Sequence, residues 1–223
     1  MQKLSFQSII IYYRINMTHT SLIRVIIIIY SVFLIALSYI TGNRIDENLL
    51  RWISGLTGFI VLIWTVFEKW IWKLPYIRYL SHISGTPVLH GTWKGRIEFV
   101  RDENGKPGSS DIYVSFLQTY TTITVRAYFP KPSGSVSIIS RFEIQKSGIT
   151  NLYYLYKNTA PHGKRDTNRP HDGTVVLEIS GNPVTKIHGS YFTDRNGSGT
   201  VVLNKFSKEI VTNYEDAKKL KYK

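Results

Sequence analysis

The chain has 223 residues, a net charge of +13 and no cysteine. Disulfides and cysteine-based metal sites are therefore excluded, and the length allows one soluble domain plus a membrane part. The positive excess favours an anionic partner, lipid head groups or a nucleotide, although a cytoplasmic bias of Lys and Arg beside membrane spans explains part of it.

Residues 1–20 read as an N-terminal extension. The segment before Met17 is apolar without a clear period, whereas MTHTSLIR beginning at Met17 is a natural start for a membrane protein. Residues 1–16 are read as an upstream extension or a misassigned start. Residues 21–72 hold two apolar spans, Leu22–Ile40 and Leu49–Trp72. About 18 apolar residues cross a hydrocarbon core. No charge stands between Arg24 and Arg44. The second span is shorter, but Arg51 can snorkel at one end while Trp70 and Trp72 sit in the interface at the other. Lys3, Arg14 and Arg24 precede the spans and Lys69, Lys73 and Arg78 follow them. This distribution places both ends in the cytoplasm, with a very short outside loop, and makes the chain a multi-pass membrane protein.

Residues 73–90 form a connector, with Pro75 opening a short helix and Gly85 after its end. Residues 91–206 contain eight strand-like runs rich in Val, Ile, Thr, Tyr and Phe: Trp93–Val100, Ile112–Gln118, Ile123–Phe129, Val136–Ile144, Leu152–Lys157, Thr174–Ile179, Lys186–Thr193 and Thr200–Phe206. Turn-forming segments such as ENGKPG, SGNP and DRNGSG separate them. Short links pair neighbours as antiparallel hairpins, and eight such strands remove their edges by closing. The expected fold is an N-terminal two-helix transmembrane hairpin followed by an all-β domain, an eight-stranded antiparallel up-and-down β-barrel. The connection from Asn158 to Gly173 is long, basic and contains two His. Residues 207–223 form a C-terminal helix or tail. Ser207 is its expected cap, and the helix either plugs a barrel end or lies on the surface.

Catalytic signatures such as GxSxG, a phosphate-binding GxxxxGK[ST] loop and HExxH are missing, and the His residues have no ligand spacing. No catalytic residue, metal or cofactor is assigned, and the domain reads as a binding module rather than an enzyme. Alternation then sorts the strands. Trp93 shares a face with Gly95, Ile97 and Phe99, which makes it an interior residue, either a ligand contact or a packed plug. Ile187, Gly189, Tyr191 and Thr193 share another face, and Arg195 continues its parity into the turn. Such a face suits a nucleotide: Gly leaves room, Tyr stacks on a base, Thr bonds an acceptor and Arg pairs with phosphate. In LYYLYK, Tyr154 and Tyr156 share one side, and either side can point inward. Arg126 shares a face with Tyr128. An inward Arg needs an anion, and an outward one is solvated.

With a hairpin before the strands, the segments HGTWKGRIEF, HDGTVVLEI and HGSYFTDRNGSGTVVL carry a resemblance. Over roughly Ser21 to Phe206 the chain resembles the two-transmembrane, β-strand-rich (SMODS-associated) effectors of bacterial CBASS antiphage systems. The resemblance implies that a nucleotidyltransferase makes a cyclic dinucleotide on infection. The barrel binds it, the protein self-associates, and the helices disrupt the inner membrane, killing the cell before phage mature. It implies ligand contacts from Tyr191, Thr193 and Arg195, then His171 and Thr174, and no DNA or RNA partner. The alternatives are a membrane-anchored lipocalin-like barrel carrying an apolar small molecule and a scaffold that binds a protein partner.

Overall fold

The computed structural model describes residues 27–28, 30–40, 42, 47–74, 86–100, 107–130, 133–145, 149–159, 170–181 and 183–223. The expected extension at residues 1–20, the connector helix after Pro75 and most of the long basic loop lie outside them. The chain divides into two units, Met1–Ile77 and Arg78–Lys223.

In the first unit, α1 spans Tyr30–Ile40 and α2 spans Glu47–Lys69. The Tyr30 hydroxyl and Thr57 Oγ1 share a hydrogen bond of 2.9 Å between the helices. Among the described residues one helical segment, Arg51–Lys73, is long and apolar enough to cross a membrane, with a mean hydropathy of 1.3 and none of it buried. Ser31, Thr57 and Thr65 each donate to the carbonyl four residues earlier, at 2.8 Å. Their hydroxyls thus need no water.

The second unit is a closed barrel in which each strand pairs antiparallel with the next and β8 returns to β1. The strands are β1 Gly91–Phe99, β2 Gly108–Gln118, β3 Ile123–Tyr128, β4 Gly134–Ile144, β5 Thr150–Thr159, β6 His171–Ser180, β7 Lys186–Thr193 and β8 Ser198–Ser207. All eight expected runs form strands. Several extend beyond their β-favouring residues because a partner is present: Gly108–Asp111 are held by Arg96–Phe99 of β1, and Asn158 pairs with His171. Inward positions alternate as one buried face requires. Ile112, Val114 and Phe116 of β2, Val125 and Ala127 of β3, and Val175 and Leu177 of β6 belong to one core. Irregularities near Lys94/Gly95 on the β1–β8 seam and near Ile138 on β4 each insert a residue and reset the alternation.

The C-terminal segment lies on the outer surface, across β1–β3. Its helix, α3, is Tyr214–Lys219 and is capped by Asn213, whose side chain accepts from the Asp216 N–H at 2.8 Å. Ser207 does not cap it. That residue ends β8, and the chain from Glu209 to Val211 stays outside the helix, with carbonyls of both residues engaged. Thr92 donates to Glu209 O at 2.7 Å, while Ser115 and Tyr128 donate to Val211 O at 3.3 and 2.8 Å. Ala217 is fully buried beside Tyr113, whose ring meets those of Tyr214 and Tyr222. Lys223 then exchanges two backbone hydrogen bonds with Phe206.

Candidate functional site

The barrel has two unlike ends. One is formed by the start of β1 and the finishes of β2 and β8, where Trp93 and Leu89 are almost wholly buried. The Trp93 indole donates to Leu89 O at 3.0 Å and packs on Phe206 with ring centroids 5.0 Å apart. Gln118 completes this base. Its Oε1 accepts from Leu89 N at 2.7 Å and its Nε2 donates to Pro87 O at 2.8 Å. Trp93 is therefore an interior plug, at the end opposite the other interior site residues.

The other end gathers Tyr156, His171, Tyr191, Thr193 and Arg195. β5 presents Leu152, Tyr154 and Tyr156 inward, while Tyr153 and Leu155 stay exposed. This decides which side of LYYLYK faces the interior. Tyr154 and Tyr156 have ring centroids 6.3 Å apart, with Tyr154 one layer deeper, opposite Val175 and Ser140. Tyr156 meets His171 edge-on at 6.2 Å. Two glycines set the tyrosines against the wall. A Cβ on Gly173 would stand 2.5 Å from Tyr156 Cζ and Oη, and one on Gly199 would stand 2.7 Å from Tyr191 Cε1. Only glycine permits this approach.

Burial raises the pKa of Tyr154, Tyr156 and Tyr191 above the usual phenol value; for Tyr156, the nearby Tyr191 and Asp194 add to the rise. These hydroxyls stay protonated at neutral pH and keep their capacity to donate to an anion.

The β7–β8 turn braces this rim. Thr193 Oγ1 accepts from Gly197 N at 2.9 Å, and Asn196 adopts a left-handed backbone (φ 60°). Asp194 accepts from Asp172 N at 3.3 Å and donates its own N–H to Asp172 O at 3.1 Å, tying the turn to β6. Arg195 is exposed and donates to Pro170 O at 3.3 Å. The Thr193 hydroxyl thus serves the turn, while the Arg195 guanidinium retains further donors.

Two sequence-expected residues stand outside this group. Thr174 is exposed on the outer side of β6, because Gly173 and Val175 take the inward positions. Arg126 is on the outer side of β3 with Tyr128, because Val125 and Ala127 take the core. Asn158 went unnoticed in the sequence. It continues the inward series of β5 and is buried, and its Oδ1 meets no hydrogen-bond partner among the described residues. Had Leu152, Tyr154 and Tyr156 been extended by two residues, the alternation would have found it. Among the described residues, no group of three His, Cys, Asp or Glu side chains is arranged to hold a metal ion.

A comparison with curated proteins finds no match. Residues 84–205, more than half of the chain, match the family Cap15, cyclic dinucleotide receptor domain, an effector family of CBASS. That match runs from just before the base plug through all eight strands to within two residues of the end of β8, and the chain belongs to the Cap15 cyclic dinucleotide receptor domain family.

Proposed function

We propose that the barrel is the sensor of a membrane effector: it takes a cyclic dinucleotide at the Tyr156–Tyr191 end, and binding drives self-association and disruption of the bacterial inner membrane. The observation that carries this reading is the convergence of neutral tyrosine hydroxyls, His171 and the exposed Arg195 at one end of a barrel whose core is mainly apolar. A cyclic dinucleotide offers two bases to stack and two phosphates to receive donors. The family match supports the same ligand class. Tyr156, Tyr191, His171 and Arg195 contact the ligand, Tyr154 backs Tyr156, and Thr193 holds the turn that carries Arg195.

The membrane part is a two-helix hairpin with both ends and the barrel in the cytoplasm. Support comes from the Arg51–Lys73 segment and from hydroxyls satisfied within their own helices. Two helices per chain cannot enclose a pore, so damage requires several copies, and ligand must favour the assembled state over the monomer. An apolar-cargo carrier is disfavoured, since Leu152, Leu177, Ile187 and Leu203 fill the inner layers of the barrel.

Calorimetry of the full chain in detergent against a panel of cyclic dinucleotides tests the reading. Binding of at least one is expected, and Tyr191→Ala and Arg195→Ala should each weaken it tenfold or more and abolish ligand-dependent growth arrest. A folded wild-type chain that binds none of the panel overturns the function. Killing at wild-type level by both variants overturns the site.

A further inference from the structure

Asn158 occupies the last inward position of β5 at the rim. Its register neighbours are Ser135 on β4 and His171 on β6, and Ser135 is itself 6% exposed. Asn158 is 5% exposed, and no hydrogen bond reaches its Oδ1 among the described residues. Folded proteins satisfy nearly all buried polar atoms, and one left bare is destabilising. The base of the same barrel shows the ordinary solution, because Gln118 has both ends of its amide bonded. An amide of the same kind, equally buried but with a bare oxygen, stands beside Tyr156 at the end where polar groups converge.

We infer that Asn158 is a ligand-contact residue whose amide oxygen accepts a hydrogen bond from an N–H or O–H of the bound nucleotide. This rests on the reading of the barrel as a cyclic dinucleotide receptor and deepens it. The chemistry sorts the ligand's parts. Phosphodiester oxygens only accept, so they pair with the tyrosine hydroxyls and Arg195 and cannot pair with Asn158 Oδ1. The remaining donors are the exocyclic amine of a base, the ring imino N–H of guanine or uracil, and the ribose hydroxyl. Adenine, guanine and cytosine carry that amine, whereas uracil does not. Asn158 therefore supplies a buried acceptor beside Tyr156, and through it the site distinguishes one nucleoside from another. A ligand that leaves this oxygen bare loses affinity, because the site then retains an unpaired buried group.

The test uses the full chain in detergent and calorimetry with cyclic di-AMP, cyclic di-GMP, cyclic di-UMP and cyclic GMP–AMP. The wild type identifies the tightest of the four. Asn158→Ala and Asn158→Leu are each expected to bind that ligand at least tenfold more weakly. Their thermal midpoints should equal or exceed the wild-type value, because they remove an unsatisfied polar atom; a purely structural role predicts a lower midpoint with affinity unchanged. Two arms locate the donor. One replaces the base amine by a carbonyl, as in cyclic di-IMP against cyclic di-AMP, and the other removes the 2′-hydroxyl. The arm that weakens the wild type but not Asn158→Ala identifies the bonded group. If both variants bind within twofold of wild type, or both arms weaken wild type and variant equally, the assignment of Asn158 is overturned while the receptor reading stands. A folded wild type that binds none of the four overturns the receptor reading and this assignment together.

Discussion

The two ends of the barrel are built from the same strands yet solve opposite problems. At the base the buried indole and amide are fully engaged: the Trp93 indole reaches Leu89 O, and Gln118 spans Leu89 N and Pro87 O. At the rim, neutral tyrosines lean on glycines, a turn is tied down by Thr193 and Asp194, and Asn158 keeps a bare oxygen. The base spends its sequence on stability, and the rim holds polar groups ready for something that arrives later. The contrast teaches that stability and ligand affinity should respond to different residues.

Substitutions at the base make the sharpest test. Trp93→Ala removes a buried aromatic plug together with its contact to Phe206. The expected loss is about 3–5 kcal/mol in denaturant unfolding. Among molecules that remain folded, ligand affinity should be unchanged; a weakened affinity in that fraction would place Trp93 in the site and collapse the contrast. Gln118→Leu is the milder version. It keeps the volume but leaves Leu89 N and Pro87 O without their partner, for an expected loss of about 1–3 kcal/mol in urea unfolding. Ligand binding should again be untouched.

The faces of the strands were legible in the sequence, but their depths were not. Alternation placed Trp93, Gly95 and Ile97 on one side of β1, and Ile187, Gly189 and Tyr191 on one side of β7, because antiparallel strands with one buried face repeat every second residue. Alternation says nothing about height along the barrel axis. Trp93 and Tyr191 both point inward, yet register puts one at the base and the other at the rim. LYYLYK was ambiguous because both of its faces carry tyrosine, and the neighbouring strands decided between them. Asn158 was hidden for another reason. Asn, His, Asp and Gly are weak strand formers, so the ends of β5 and β6 exist only because each pairs with the other. The helix after β8 starts later than Ser207 because Val211 O is claimed by hydroxyls of β2 and β3, long-range contacts that local capping signals do not report.

The smallest expected effect belongs to Arg126, and it tests the contrast from outside the barrel. Its guanidinium is on the outer side of β3 beside Tyr128, and its Nε is buried without a hydrogen-bond partner among the described residues. Arg126→Met keeps the apolar stem and removes the charge and the unsatisfied N–H. No bond at Nε is lost, and Arg126, which interacts with the Tyr128 hydroxyl, is only half-buried, so the stability change should stay within about 1 kcal/mol by denaturant unfolding. Affinity for a cyclic dinucleotide should stay within twofold, because the barrel wall separates this side chain from Tyr156 and Tyr191. A tenfold loss with unchanged stability would mean that the phosphates meet the outer face of β3. The division between a closed base and a receptive rim would then have to give way to one between the inside and the outside of the sheet.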